Sequence, residues 1–286
     1  MTGSNRRPGM NTALIDTILQ TWAIHLSLLA FVLIAVATKL GAAAIRLVPG
    51  LRAAEQLNRE TARKRLEKQS YADNMKMNRK WGLIFTSVIF GVILPFCLTL
   101  EPDVWWMYPV QVVTILMVYD FFYYWAHRVL FHDTPGRVGP LKWMHATHHR
   151  QLNPCRMDSG YLNPLESAIG LGLYVMTIAL LTLVFGRFHV GMIVVTWIAF
   201  QQINLHNHDL WVRGQSPGGY LATMAEMHHH HHARFTGGNF ATITLLYDWM
   251  FGTLDYGKGP GVKVPREERK GGAEPRRMSP ESEAHA

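Results

Sequence analysis

Five stretches of this 286-residue chain are too long and too apolar to be helices of a soluble core. Residues 13–47 are almost all apolar, and 81–100 (WGLIFTSVIFGVILPFCLTL), 104–126, 166–186 and 188–205 follow. Each approaches the roughly 20 residues a helix needs to cross a bilayer. The first is longer, so it is expected to tilt, to kink or to run on into water. It lacks a small-residue cleavage site behind a short apolar core and reads as an anchor rather than a removed signal peptide. The expected fold is an all-α, multi-pass membrane helical bundle with four or five spanning segments.

The charges give this bundle an orientation. The net charge of +8 comes from basic residues gathered in two blocks, 51–80 (with Arg63, Lys64, Arg65, Lys68, Arg79 and Lys80) and the tail from 258 onward. By the positive-inside rule both blocks face the cytoplasm. They are not interleaved along an aromatic-rich groove, so nucleic acid is not an expected partner. Only Glu101, Pro102 and Asp103 separate the second and third apolar blocks, and a turn near Gly186 and Arg187 separates the last two. Two tight hairpins result, and they return His127 and His206 to the basic face. The absence of a C-terminal dilysine or KDEL-like signal favours a bacterial inner membrane over the endoplasmic reticulum.

The polar ends, 1–12 and 258–286, are rich in Gly, Pro and charge and are expected to be disordered, bounding a membrane-embedded domain at 13–257. Cys97 lies in an apolar block and Cys155 in a polar one, so no disulfide is expected between them.

The chemistry resides in the histidines. Two H-x-x-H-H boxes, His145/His148/His149 and His228/His231/His232, place imidazoles at i, i+3 and i+4, one face of a helix, where each triplet converges on one place. His127 and His132 stand upstream, five apart, which is not a clean helical face. They require a helix break, for which Gly136, Gly139 and Pro140 supply the means. His206 and His208 lie between the boxes. This set points to a metal site, most simply a two-metal one located between residues 127–149 and 206–232. A structural zinc site uses about four ligands, usually with thiolate, and here only Cys155 is near. Imidazole ligands alone leave zinc, copper, iron and nickel open. His25, His189 and His285 are isolated and read as packed or solvated.

Four motifs in order carry a resemblance: D-F-F-Y-Y-W-A-H-R-V-L-F-H (Asp120 to His132), M-H-A-T-H-H (Met144 to His149), E-M-H-H-H-H-H-A-R-F (Glu226 to Phe235) and N-F-A-x5-Y-D-W-M-F-G-T (Asn239 to Thr253). Over about residues 80–257 the chain resembles the fatty acid hydroxylase and sterol desaturase superfamily. The resemblance implies an integral membrane oxidoreductase with a histidine-rich helical cap on the cytoplasmic side, two histidine-ligated iron ions, O2 as co-substrate and a lipid substrate that is hydroxylated or, second choice, desaturated. The ligands it implies are His127, His132, His145, His148, His149, His228, His231 and His232. The superfamily's additional histidine corresponds best to His206, in L-H-N. His208 is an extra candidate, and the five-histidine run admits His229 as a substitute, with His230 the bystander.

Three polar residues are expected to support the ligands. Asp120, about two turns before His127, is placed to accept the N–H of a ligating imidazole. Glu226 is expected to orient His228 or to ligate, unless it is a solvated helix-start residue. Asn239, like Asp248, matches a superfamily position and serves equally well as a structural turn or cap. The aromatic residues Phe122, Tyr123, Tyr124, Trp125, Trp105 and Trp106 are placed to line a substrate path, although interfacial anchoring accounts for them better. No G-x-G-x-x-G follows a strand and no cysteine set could hold an iron–sulfur cluster, so electrons are expected from a separate ferredoxin or cytochrome with its reductase. Arg128, Lys142, Arg150 and Arg156 could attract such a donor, but topology alone explains them. The rival reading is a His-rich membrane zinc transporter or metal sensor. Against it, blocks 81–100 and 166–186 carry almost no ionisable residue between their ends.

Overall fold

A computed structural model describes residues 18–211, 219–262 and 265. The expected disorder of 1–12 and of most of 258–286 falls outside the described residues. Among those described, nearly all regular structure is helical. Helices α1 (Ile24–Ile45), α2 (Pro49–Leu66) and α3 (Gln69–Val88) are followed by α4 (Met107–Ala126), a short α5 (Lys142–His145), α6 (Pro164–Phe185), α7 (Val190–Asn207), α8 (Gly219–Ala233) and a short α9 (Leu246–Met250). Three helical stretches are long and apolar enough to cross a membrane: Ile18–Ile45, Gln69–Phe96 and Pro164–Phe185. Helices α4 and α7 pack among them, α4 against α6 and α7, and α1 against α7. Polar residues within α4 and α7, Gln111 and Asp120 in one and Gln201, Gln202 and Asn204 in the other, lower the apolarity of these two.

The core between the helices is aromatic. Tyr119 and Phe200 meet edge to face at 5.0 Å, Tyr174 stacks on Phe200 at 4.7 Å, and Phe90 and Trp197 meet at 5.0 Å. Leu28, Phe31, Val32, Val36 and Leu40 of α1 face outward, as do Leu180, Leu183 and Val184 of α6. A helix with this much apolar surface turned away from the protein is suited to lipid.

At one end of the bundle the two hairpin turns are clipped together. Strand β1 (Leu98–Thr99) pairs in parallel with β2 (Phe188–His189), and the Phe188 amide donates to the Cys97 carbonyl at 2.8 Å. Just before β1, Pro95 and a π turn at Ile89–Ile93 close the helix that α3 began. Trp105 and Trp106 are exposed at this end, where the amphipathic indole suits a membrane interface.

The opposite end carries the histidines and the basic block together. Residues 51–80 are helical almost throughout. They form α2 and the first turns of α3, because Pro49 starts the helix at its first turn and the following residues are mostly good helix formers. Helix α2 lies on the histidine cap: Asn58 donates to Leu210 O at 2.9 Å and accepts the amides of Arg156 and Leu210 at 2.8 and 3.0 Å. Arg65 pairs with the buried Asp158, which also accepts from the Tyr71 hydroxyl at 2.7 Å.

Candidate metal centre

Nine imidazoles gather in two adjoining clusters, each with its ligand atoms within 4.8 Å of one another. The first holds His127, His132, His145, His149 and His231; the second holds His148, His208, His228 and His232. Neither H-x-x-H-H box therefore serves one place. On α8, His228 and His232, one turn apart, face the second cluster while His231 faces the first. In the other box His145 and His149 take the first cluster and His148 the second. The chain leaves α5 at His145 and tightens into a 3-10 turn at His148–Arg150, which aims His148 away from its neighbours in sequence.

The five-residue spacing of His127 and His132 has a local explanation. Helix α4 ends in a π turn, His127–Phe131, whose hydrogen bonds run from i to i+5, and His132 follows in extended conformation. The chain then doubles back so closely that a Cβ on Gly139 would lie 2.6 Å from the His132 carbonyl oxygen. Asp133 secures the return, accepting from the Gly139 amide at 2.9 Å and from Lys142 Nζ at 2.8 Å.

Seven of the nine imidazoles commit Nδ1 as a donor. His127 donates to Phe240 O (2.7 Å), His132 to Phe235 O (2.7 Å), His231 to Gly238 O (2.7 Å), His148 to Tyr161 O (3.2 Å), His208 to Asn204 O (2.8 Å) and His232 to Gln151 O (3.1 Å). His145 donates to the carboxylate of Glu166 at 2.7 Å. Each of these neutral rings is left with an unprotonated Nε2 turned inward. The Nε2 atoms face one another at 2.9 Å (His127 and His145), 3.0 Å (His149 with both His145 and His231) and 3.1 Å (His208 with both His148 and His228). Lone pairs opposed at such distances repel unless a cation lies among them, so this donor set fits bound metal. Burial, reinforced by neighbouring imidazoles, holds His127, His145, His149, His208, His228, His231 and His232 well below the ordinary histidine range. Burial likewise lowers His132 and His148 to about 4. The rings are thus unprotonated at neutral pH, the form in which imidazole ligates.

His206 lies outside both clusters. Its Nε2 donates to Leu221 O at 2.9 Å, and Nδ1 lies 3.6 Å from Asp209. At 100° per residue, positions two apart on a helix point nearly opposite ways, so only one of His206 and His208 can face the centre, and it is His208. His229 also falls outside, against Asn153 Oδ1 at 3.2 Å. Cys155 is buried beside Arg65 and belongs to neither cluster.

Of the supporting polar residues, Asp120 departs from its expected partner, while Glu226 and Asn239 take the structural alternatives. Asp120 accepts no imidazole N–H. It takes the amides of Thr242, Ile243 and Thr244 at 2.8, 2.8 and 3.0 Å and the Thr244 hydroxyl at 2.9 Å. Asp248 takes the amides of Phe240 and Ala241, both at 2.8 Å. These two carboxylates pin the loop whose Phe240 carbonyl holds His127. Glu226 stands 3.9 Å from His230 rather than at His228, and its side chain is 32% exposed. Asn239 adopts a φ of +66°, which asparagine tolerates, and donates to Met227 O and Asp255 O at 2.8 and 2.7 Å, fastening the loop to α8. Gly238 has no room for a side chain, because a Cβ would overlap the Thr253 carbonyl.

Glu166, which the ligand motifs do not include, is buried in the first turn of α6 and supplies the carboxylate partner of His145. An ionisable residue at the end of an otherwise apolar block is its sequence signal. A cavity touches both clusters through His127, His145, His148, His208 and His228, and is completed by Tyr123, Leu162, Glu166, Asn204 and Thr242 among others. Tyr123, Glu166 and Asn204 come from the ends of α4, α6 and α7, Thr242 from the pinned loop and Leu162 from the segment before α6.

Comparison with known proteins agrees with this architecture. Residues 112–253 match the fatty acid hydroxylase family. A very-long-chain aldehyde decarbonylase of Oryza sativa subsp. indica is 29% identical over 171 residues, 56% of this chain and 58% of the relative. A Delta(7)-sterol-C5(6)-desaturase of Nicotiana tabacum is 29% identical over 163 residues, 55% of each chain. A putative methylsterol monooxygenase of Dictyostelium discoideum is 31% identical over 150 residues, 49% of this chain and 48% of the relative. The match thus spans about half the length of these curated relatives, and no solved structure matches. The histidine motifs, the helical bundle that carries them and the match over residues 112–253 make this chain a member of the fatty acid hydroxylase and sterol desaturase superfamily.

Proposed function

We propose that this protein is a membrane-embedded oxygenase that holds two iron ions in its histidine clusters and uses O2 and external electrons to hydroxylate an apolar lipid, with desaturation the second choice. The observation that carries this reading is that two adjoining clusters of neutral imidazoles border one cavity walled by the ends of α4, α6 and α7. Iron bound there supplies the O2 activation that attack on an unactivated C–H bond requires. The five imidazoles of the first cluster and the four of the second would hold the metals. Glu166 and the backbone carbonyls fix the ring tautomers, and Tyr123, Leu162, Asn204 and Thr242 orient the chain that enters. The substrate is a fatty acyl chain, a sterol or a related lipid that reaches the cavity sideways from the bilayer. Such relatives as the desaturase and monooxygenase named above support an oxidative lipid chemistry without fixing the substrate.

The basic helices share the histidine end of the bundle, which supports a cytoplasmic site by the positive-inside rule. Electrons come from a separate donor protein of ferredoxin or cytochrome type. Arg156 is held by Asp209 and Gln202, both at 2.7 Å, and Lys142 by Asp133, so these two are structural before they are docking residues.

The deciding experiment is metal content per chain, measured by plasma mass spectrometry on protein purified through a non-histidine tag from cells supplied with iron and zinc. About two irons per chain, together with an O2-dependent change in the lipid profile, is the expected result. Zinc alone in protein shown to be active overturns the di-iron assignment.

A further inference from the structure

The carboxylate of Glu166 is used on one side only. Oε1 accepts from His145 Nδ1 at 2.7 Å, while Oε2, buried, has no hydrogen-bond partner. The residue is 5% exposed, and it forms part of the wall of the cavity that borders both clusters. Among the described residues lining that cavity it is the one carboxylate; the Tyr123 hydroxyl shares the wall without a hydrogen bond to it, and three other polar groups are engaged elsewhere. Thr242 Oγ1 donates to Asn204 Oδ1 at 2.7 Å, Asn204 Nδ2 donates to Phe200 O at 2.7 Å, and Ser159 Oγ donates to Arg156 O at 3.0 Å. A buried carboxylate oxygen is a strong acceptor, and leaving it unmatched is costly. No described side chain donates to Oε2, so a group that enters the cavity can supply the donor.

We propose that Glu166 is a specificity residue: its Oε2 accepts a hydrogen bond from the substrate, so the cavity selects a lipid that carries a hydroxyl, or another hydrogen-bond donor, near the carbon presented to the metals. This rests on the reading of the cavity as a lipid site and narrows the lipid class. A site built to satisfy a donor rejects an otherwise equal ligand that lacks one, because the acceptor is then left unpaired. His145 fixes the other half of the arrangement. Since its N–H occupies Oε1, Glu166 cannot swing away to meet a donor elsewhere without releasing a ligand ring.

The test compares a long-chain primary alcohol with its methyl ether, two probes of matched chain length that differ in the donor. Binding is measured by competition against a fluorescent fatty alcohol, on the full-length protein with its metals in lipid nanodiscs, without reductant so that no turnover occurs. The expected result is at least a tenfold preference for the alcohol. In Glu166→Gln the amide oxygen must serve His145 and the NH2 group then faces the cavity, so an ether oxygen becomes acceptable and the preference falls to within about twofold. Metal content and melting temperature of the variant, measured in parallel, identify any loss of the centre. If that loss occurs, the same comparison on wild-type protein alone decides. Equal affinities in the wild type, or an undiminished preference in a metal-replete Glu166→Gln, overturns the proposal. The assay involves no oxidation, so a wild type that prefers the alcohol but oxidises no lipid would sink the oxygenase reading and leave the role of Glu166 standing.

Discussion

His149 and His231 lie 82 positions apart in the chain, yet their Nε2 atoms are 3.0 Å apart in the first cluster, while the residue beside each of them, His148 and His232, turns to the second with ring centroids 4.5 Å apart. The two H-x-x-H-H boxes thus interlock, each lending ligands to both clusters. A shift of α8 by a fraction of a turn would move His228, His231 and His232 together and disturb both sites at once. Paired spacing of this kind couples the two clusters through the backbone as well as through space.

His148→Ala and His231→Ala are therefore expected to lose metal from more than the cluster they belong to, falling from about two metal ions per chain to less than one, with turnover reduced at least a hundredfold. His25→Ala should leave both quantities unchanged. Metal analysis with far-ultraviolet circular dichroism checks the loss against a retained helical fold. Two metals and normal turnover in both box variants would remove the basis of the assignment.

The neighbouring pair His206 and His208 offers a sharper comparison. His208 Nε2 lies 3.1 Å from both His148 and His228, whereas His206 bonds Leu221 O. His208→Ala is expected to lower metal occupancy to that of the other box variants, and His206→Ala to retain at least four-fifths of it. A reversal of this order would return the additional ligand to His206.

Asp120 tests the loop that lies behind the ligands. Its carboxylate takes four donors from Thr242, Ile243 and Thr244. Asp120→Asn turns one acceptor oxygen into an NH2 group facing donors, which costs about 1–3 kcal/mol. The variant is expected to melt several degrees lower and to release metal faster to a chelator, since Phe240 O no longer holds His127 as firmly. An unchanged chelation rate would separate the loop from the centre.

How much of this was legible in the chain follows from what each feature depends on. The apolar blocks and the histidine spacing are local, and they point to a helical bundle with a metal centre at one end. The division of each box between two clusters is not local. It depends on a 3-10 turn after His145 and on how α8 lies across the cap, neither of which the i, i+3, i+4 rule contains. The motif favours His206 over His208, but two residues at a helix end can be told apart only once the facing direction is known. Asp120 lies two turns from His127, the correct distance for a contact, yet residues 242–244 reach it first with four donors. Glu166 stood at the border of an apolar block, where a charge calls for a partner, and the spacing of the ligand motifs gave no way to name His145 as that partner.

The acid sensitivity of the metal-free protein follows from the lowered histidines. Burial holds His132 and His148 at about 4 in the folded protein, against roughly 6.5 in an unfolded chain. Between these values the unfolded state binds more protons, so unfolding becomes easier as pH falls. The sign is that of a base held neutral by the fold: its contribution is unaffected by protonation above about 6.5 and is progressively lost on acidification toward 4. The other seven clustered imidazoles are lowered in the same direction and steepen the slope. Buried carboxylates oppose it, Asp248 among them with its carboxyl raised by burial to about 6, but they are fewer than the nine imidazoles. Chelated protein in detergent is therefore expected to lose melting temperature continuously from pH 7 to pH 5, and His132→Gln, which keeps a polar side chain without the titration, should show a shallower slope. A melting temperature independent of pH over that interval would mean that the clustered imidazoles are not held neutral by burial.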